Sequence, residues 1–455
     1  MSTRRDFLKT IGLCAASVAL PKRTFAAGSN KPNIIFILTD DQRYDALSCR
    51  GHTFLKTPNM DRLAREGVLF ENAFVTTSLC SPSRASFLTG CYAHTHGVFF
   101  NSQSDPDPSL PTFSQLLQKA GYETAYIGKW HMAATDEPRP GFDHWVSFKG
   151  QGSYRGNKFN IDGEDVRSQG YVTDDLTEYA INFINKDHKN PFLLFLSHKA
   201  VHAPFTPAER HNNLFSDIEI ESRHNPADNL ATKPKWGRKM DKNWRQQIRN
   251  YFQTLMAVDE SLGRILKSLE RNNMLDDTVL VFAGDNGYFH GEHGGMWDKR
   301  AAYEPSMRIP LLMRYPARVK AGIRCGQMVL NIDLAPTLLD LAGAAIPHKI
   351  QGQSWMKLLA GHAGRESFLY EYFGTSGDRF KRPTTIAIRK ANWKYITYPL
   401  SNMHTHELYD LNNDPEELDN LSASSAHESV LRQLKVELAR LQEKTNFRFP
   451  PGRTI

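Results

Sequence analysis

Four short apolar runs set the rhythm of the chain, and each stops abruptly at polar residues. Asn33-Ile34-Ile35-Phe36-Ile37-Leu38 runs into Thr39-Asp40-Asp41, and Thr124-Ala125-Tyr126-Ile127 into Gly128-Lys129-Trp130-His131. Residues 192–196 run into Ser197-His198-Lys199, and 278–282 into Ala283-Gly284-Asp285-Asn286-Gly287. Continuous rather than alternating hydrophobicity over so few positions predicts strands buried on both faces of a parallel sheet. Helical patterns separate them. Residues 59–66 read as a short helix stopped by Gly67. Tyr251, Leu255, Val258, Leu262, Ile265 and Leu269 keep the helical period and predict a long amphipathic helix. The alternation predicts an α/β fold with a mostly parallel central sheet flanked by helices. Ligands of such sheets sit beyond the carboxyl ends of the strands, where all four polar clusters fall.

The texture changes near residue 350. Residues 368–373, 385–389 and 393–397 read as short antiparallel strands, and Leu431, Leu434, Leu438 and Leu441 define a closing helix. The expected organisation is a leader over 1–27, a catalytic α/β domain over 28–348 and a smaller α+β subdomain over 349–455. Residues 209–243 are polar with few apolar anchors and read as a long surface excursion near the site. No internal repeat is visible.

Composition narrows the class. Apolar residues make up 40% and charged residues 23% of 455 positions, which excludes wholesale disorder. No apolar stretch reaches the ~20 residues of a membrane span, so no transmembrane segment is expected. The net charge of +7 is inflated by residues 1–27, which hold five basic side chains and one acidic one; without them the excess is +3. That gives no reason to expect nucleic acid as a partner. Thr3-Arg4-Arg5-Asp6-Phe7-Leu8-Lys9, the apolar run 11–20 and Ala26-Ala27-Gly28 have the order of a twin-arginine export signal. They predict an exported protein, periplasmic or secreted. Leu13 is bulky for a lipid-modification site at Cys14.

Beyond Cys14, the cysteines are Cys49, Cys80, Cys91 and Cys325, without paired spacing, so neither a disulfide framework nor a zinc cluster is indicated. Asp40, Asp41, Asp285 and Asn286 offer three carboxylates and an amide oxygen at two strand ends. One such pair commonly caps a turn; two pairs suit a hard cation, and the lack of histidine among them argues against zinc. His131 and His202 are proton-transfer candidates, since imidazole titrates near neutral pH. Cys80-Ser81-Pro82-Ser83-Arg84 opens a helix over 85–89 closed by Gly90, which places Cys80 at a helix N-terminus. Alone, Cys80 reads as a packed small hydrophobe.

The pentapeptide resembles the C-x-P-x-R signature of the sulfatases, with Thr89-Gly90 downstream as in that family. Asp40-Asp41, Gly128-Lys129-Trp130-His131, His202 in His-Ala-Pro-Phe, Asp285-Asn286-Gly287 and Lys299 follow in family order. The resemblance spans nearly the whole chain beyond the leader and implies an alkaline-phosphatase-like fold. It implies that Cys80 is oxidised to formylglycine by a formylglycine-generating or anaerobic sulfatase-maturing enzyme. The hydrated aldehyde would then be the nucleophile, since its second hydroxyl can expel sulfate from the sulfo-intermediate. It further implies calcium, with magnesium as the lesser choice, held by Asp40, Asp41, Cys80, Asp285 and Asn286. Arg84, Lys129 and Lys299 would surround the sulfate. His131 would assist the hydrate, and His202 with Lys299 would protonate the leaving alcohol. Lys199 is expected to touch substrate, and His94, His96, His290, His293 and Trp297 are expected near it. The Gly-Glu-His-Gly-Gly-Met-Trp-Asp-Lys-Arg segment is similar to bacterial sulfatases acting on sulfated polysaccharides of glycosaminoglycan or algal type. Two alternatives remain open: a phosphatase or phosphodiesterase of the same fold with two transition metals, and a non-catalytic binder of sulfated glycans.

Overall fold

Each of the four continuous apolar runs is a strand, and the four lie side by side. The structure, a computed structural model, describes residues 31–101, 104–234, 242–374, 382–400 and 405–452; the proposed export signal lies outside them. In chain order the strands are β1 (Asn33–Thr39), β2 (Val68–Phe74), β3 (Glu123–Lys129), β4 (His144–Phe148), β5 (Lys158–Ile161), β6 (Glu164–Arg167), β7 (Phe192–Ser197) and β8 (Thr278–Gly284). They continue as β9 (Phe289–His290), β10 (Trp297–Asp298), β11 (Leu311–Arg314), β12 (Ile323–Leu330), β13 (Ser367–Tyr372), β14 (Thr385–Lys390), β15 (Trp393–Thr397) and β16 (Glu407–Asp410).

Ten of them form one sheet in the order β12-β2-β11-β8-β1-β7-β3-β4-β5-β6. The central β8-β1-β7-β3 block is parallel throughout, and β4 continues it. Towards the edges the sheet is mixed: β11 runs antiparallel to both neighbours, and β5 and β6 form an antiparallel hairpin. Alternate side chains of β1 enter two cores. Ile35 and Ile37 pack with Leu255, Val258 and Leu262 of helix Trp244–Arg271, while Ile34, Phe36 and Leu38 pack with Phe87 and Leu88 of helix Cys80–Thr89. Each such buried side chain contributes ~1.5–3 kcal/mol relative to exposure, and burial on both faces is why these strands are apolar at successive positions through their middles.

The smaller sheet, β13-β14-β15-β16, is antiparallel. Helix Glu428–Lys444 lays Leu431, Leu434 and Leu438 on it, and Phe74 and Leu330 of the large sheet share that core. Residues 32–455 form one compact unit. No helix among the described residues is long and apolar enough to cross a membrane.

The 209–243 excursion is held by both kinds of anchor: Ile220 is buried in the core beside helix Trp244–Arg271, with Phe215 and Ile218 packed against it, and polar contacts fasten its later residues. Lys233 pairs with Asp228 and donates to the Glu417 carbonyl (2.6 Å), and the Asn229 N–H donates to the Leu418 carbonyl (3.0 Å). Its residues 218–223 line a cavity with His52 and Phe54, separate from the one at the strand ends. The expectation that it borders the site is corrected for its described part, because none of its described residues lines the cavity at the strand ends.

Candidate active site

Helix Cys80–Thr89 begins at the predicted cysteine, five residues before the predicted helical stretch, and all ten of its residues are buried. Pro82 is tolerated because a first-turn N–H has no partner within the helix. The Asn101 side chain accepts from the Ser81 N–H (3.1 Å) and so satisfies one of these orphan donors. At the other end Gly90 adopts φ 68° and its N–H donates to the Ser86 carbonyl (2.9 Å), a left-handed stop.

The carboxylates converge because β1 and β8 are parallel neighbours with Thr39 opposite Gly284. The residues after them, Asp40-Asp41 and Asp285-Asn286, leave the sheet together. The Asp41 N–H donates to Asp285 Oδ1 (3.1 Å), and Asn286 Nδ2 donates to Asp41 Oδ1 (2.6 Å). Ligand atoms of Asp40, Asp41, Cys80 and Asp285 all lie within 4.8 Å of one another. Asn286 Oδ1 is buried with no hydrogen-bond partner. Three carboxylates and an orphaned amide oxygen fit a hard, oxygen-seeking cation, so these residues are a possible metal-binding cluster.

Three predicted cations interlock with them. Arg84 Nε donates to Asp285 Oδ2 (2.9 Å), and its Nη atoms reach the Lys129 carbonyl (2.7 Å), Ser197 Oγ (2.6 Å) and Asp40 Oδ2 (3.3 Å). Lys129 pairs with Asp40, and Lys299 with Asp41. Burial pushes Asp40 up, but Lys129, His202, Arg84 and Lys299 outweigh it and hold the carboxyl well below its ordinary range. For Asp41 burial prevails over Lys299, and the group is pushed up to about 7. Burial, reinforced by Asp40, raises the Cys80 thiol to about 12. Its sulfur lies 3.4 Å from Asp40 Oδ1. Gly128 lets β3 and β7 end this close together: at φ 125°, a Cβ there would stand 1.8 Å from the Ser197 carbonyl oxygen.

The two predicted histidines enter from different strand ends. His131, just past β3, is buried with φ 59°; its Nε2 lies 3.1 Å from Gln151 Nε2, and its carbonyl accepts from Ser81. His202 Nδ1 donates to the Ala203 carbonyl (2.6 Å), which leaves Nε2 to face the site, 3.9 Å from Asp41 Oδ2. Burial lowers both pKa values, helped at His131 by Lys129.

A cavity of about 730 Å³ opens above this cluster, lined by Asp41, Lys199 and His202 and by Asn101, Gln151, Tyr288, Trp297, Asp298 and Arg300. Sequence reasoning had not singled out Asn101, Gln151, Tyr288, Asp298 or Arg300. Asp298 and Arg300 flank Lys299 and were within reach by adjacency; Asn101 and Gln151 sit in loops with no pattern. Of the five residues expected near substrate, only Trp297 lines this cavity. His94 is clamped between Glu371 (2.7 Å) and the Thr445 carbonyl (2.9 Å), and His96 is buried under the helix against Ser86 (3.1 Å). His290 faces the separate cavity, and His293 stacks on Tyr303. The expectation for these four histidines is therefore corrected: burial and structural partners occupy them.

A sheet whose strand ends gather a buried cysteine, carboxylates and cations beneath a cavity defines a hydrolase. The chain belongs to the sulfatase family and is a sulfatase: the family model for sulfatase matches residues 32–344, and that for the N-sulphoglucosamine sulphohydrolase C-terminal region matches 291–444. It is 32% identical to an N-acetylglucosamine-6-O-sulfatase of Bacteroides thetaiotaomicron, over 96% of this chain and 90% of that protein. It is 30% identical to an ulvan-active sulfatase of Formosa agariphila, over 90% of this chain and 80% of the relative. A solved structure in complex with its substrate D-glucosamine-2-N,6-O-disulfate superposes with a TM-score of 0.86 at 32% identity, covering 93% of this chain and all of that one. The phosphatase and non-catalytic alternatives give way to this family membership.

Proposed function

We propose that this sulfatase releases inorganic sulfate from a sulfated saccharide, with a terminal 6-O-sulfated glucosamine as the favoured unit, after export through the twin-arginine route. The observation that carries the reading is the convergence of Asp40, Asp41, Cys80 and Asp285 within 4.8 Å, with Asp41 also lining a sugar-sized cavity. Support for the sugar comes from relatives named for N-acetylglucosamine-6-O-sulfate and for a glucosamine disulfate complex.

Converted to formylglycine by a maturing enzyme, residue 80 would supply a geminal diol, one hydroxyl attacking sulfur and the other later expelling sulfate. A calcium ion held by Asp40, Asp41, Asp285, Asn286 and the oxygen of residue 80 would supply fixed positive charge to the sulfate. The remaining work falls to the chain itself. Arg84 holds Asp40 and Asp285 in place through its guanidinium. Lys129 and Lys299 place ammonium groups beside the carboxylates, where charge spreads onto sulfate oxygens in the transition state. His202 Nε2 faces the site and is the group we assign to deliver a proton to the leaving sugar oxygen from its doubly protonated form, Nδ1–H staying on the Ala203 carbonyl, with Lys299 beside it. His131 is assigned to the hydrate side.

Sulfate release from a panel of defined saccharides tests this reading. Glucosamine 6-O-sulfate and its N-acetyl and N-sulfo forms should be cleaved faster than galactosamine 6-O-sulfate or 2-O-sulfated uronates. A preference for another sugar or another carbon would refute the substrate assignment.

A further inference from the structure

Positive charge at this site is largely cancelled within the protein. Arg84 is matched by Asp40 and Asp285, Lys129 by Asp40, Lys299 by Asp41 and Arg300 by Asp298. Lys199 differs. It lies two residues beyond β7, is 2% exposed, and lines the cavity. Its ammonium rests 4.8 Å from the centroid of the Tyr154 ring, and no carboxylate among the described residues is within ion-pair distance of it.

A buried cation without a counterion carries a desolvation cost that an aromatic face offsets only in part. Burial, then repulsion from Lys129, lowers its pKa to about 8. The Tyr154 hydroxyl donates to the His202 carbonyl (2.7 Å), so the ring beneath Lys199 is fastened to the loop that carries His202. Lys129, Asp40 and Asp41 are the charges that act on Lys199 most, and it lines the cavity together with Asp41 and His202. An anion meeting Lys199 therefore shares the cavity with Asp41 and His202, two groups assigned to the reacting centre.

We propose that Lys199 is a further catalytic residue, whose ammonium binds a non-bridging oxygen of the reacting sulfate and supplies there a charge that no carboxylate among the described residues cancels. The proposal rests on the reading of the Cys80 cluster as the sulfate-ester site. It accounts for the placement of a costly group, since cost in the free protein is recovered when an anion arrives.

The test uses Lys199→Met, which keeps the length of the side chain and removes the charge, with Lys199→Arg as the conservative variant and Lys199→Gln as a second neutral one. Inorganic sulfate binding is measured by calorimetry, alongside turnover of a monosulfated and an N,6-disulfated glucosamine. The charge-removing variants should weaken sulfate binding about 10-fold or more and lower kcat/KM about 100-fold on both sugars alike. Their melting temperature should hold or rise, as removal of an unpaired buried charge predicts, and Lys199→Arg should recover part of both losses. Unchanged sulfate binding overturns the proposal, as does a loss confined to the disulfated sugar. If the wild type binds sulfate through Lys199 yet cleaves neither sugar, the substrate reading falls while sulfate binding by Lys199 stands.

Discussion

The Lys299 ammonium stands 3.2 Å from the Cys80 sulfur while it pairs with Asp41. One cation thus joins the nucleophile position to the carboxylate cluster, and its charge is placed where negative charge develops during attack. Cys80→Ala should abolish sulfate release while costing about 1 kcal/mol of stability, the usual size for a small truncation. Sulfate release and thermal melting check both halves. Turnover retained by the alanine variant would remove Cys80 from the mechanism.

Chelation should eliminate activity, and calcium should restore it better than zinc, because Asp40, Asp41, Asp285 and Asn286 all offer oxygen donors. Calcium should also raise the melting temperature, since an ion bound only by the folded chain stabilises it by mass action. Asn286→Ala, which deletes the orphaned amide oxygen, should raise the calcium concentration needed for both effects. A zinc preference, or an unchanged calcium requirement in the variant, would contradict the assignment.

His202→Ala should slow sugar sulfates by about 10²–10⁴-fold, the usual range for a general acid. Aryl sulfates, whose phenolate leaves without a proton, should be slowed far less. Measuring kcat/KM for both substrate types decides the matter; equal losses would mean that His202 does not protonate the leaving group.

His96 makes stability depend on pH. The Val98 N–H donates to its Nδ1 (3.1 Å), so Nε2 carries the hydrogen that Ser86 receives. Burial, with His94 nearby, lowers its pKa to about 3. The unfolded chain takes up this proton below pH 6.5 while the folded chain does not, so the contribution is complete above pH 6.5 and is lost as pH falls towards 3. At about 1.4 kcal/mol per pH unit, roughly 2 kcal/mol disappears between pH 7 and pH 5. Urea unfolding at several pH values should show a slope at least this steep, since His131 and His202 also resist protonation in the folded chain. His96→Gln should lessen it by about 1.4 kcal/mol per pH unit; an equal slope in both proteins assigns the acid lability elsewhere.

The centre of the fold was legible because burial on both faces leaves the middles of β1, β3, β7 and β8 continuously apolar, with polar residues only towards their ends. The edges were not. β6 is Glu-Asp-Val-Arg, exposed at every residue, and exists because β5 pairs with it. A signal was present there: Asp162-Gly163 between β5 and β6, both with positive φ, is a hairpin turn pair. β16 hid for a different reason. Its Glu407 looks like a surface residue, but it points inward and accepts from Tyr303 (2.6 Å), Tyr398 and Tyr409.

Side-chain chemistry is local and is written in the chain. Carboxylates at two strand ends, a cysteine opening a helix and two histidines after strands were readable from residue types and spacing, and they carried the family. Which charge cancels which was decided only by distances between segments far apart in sequence. Sequence treats Arg84, Lys129, Lys199 and Lys299 as equivalent cations. Folding gives three of them carboxylate partners, leaves Lys199 without one among the described residues, and turns His94 and His96 from site candidates into supports. Electrostatic compensation and burial depend on three-dimensional separation, and no one-dimensional pattern encodes that.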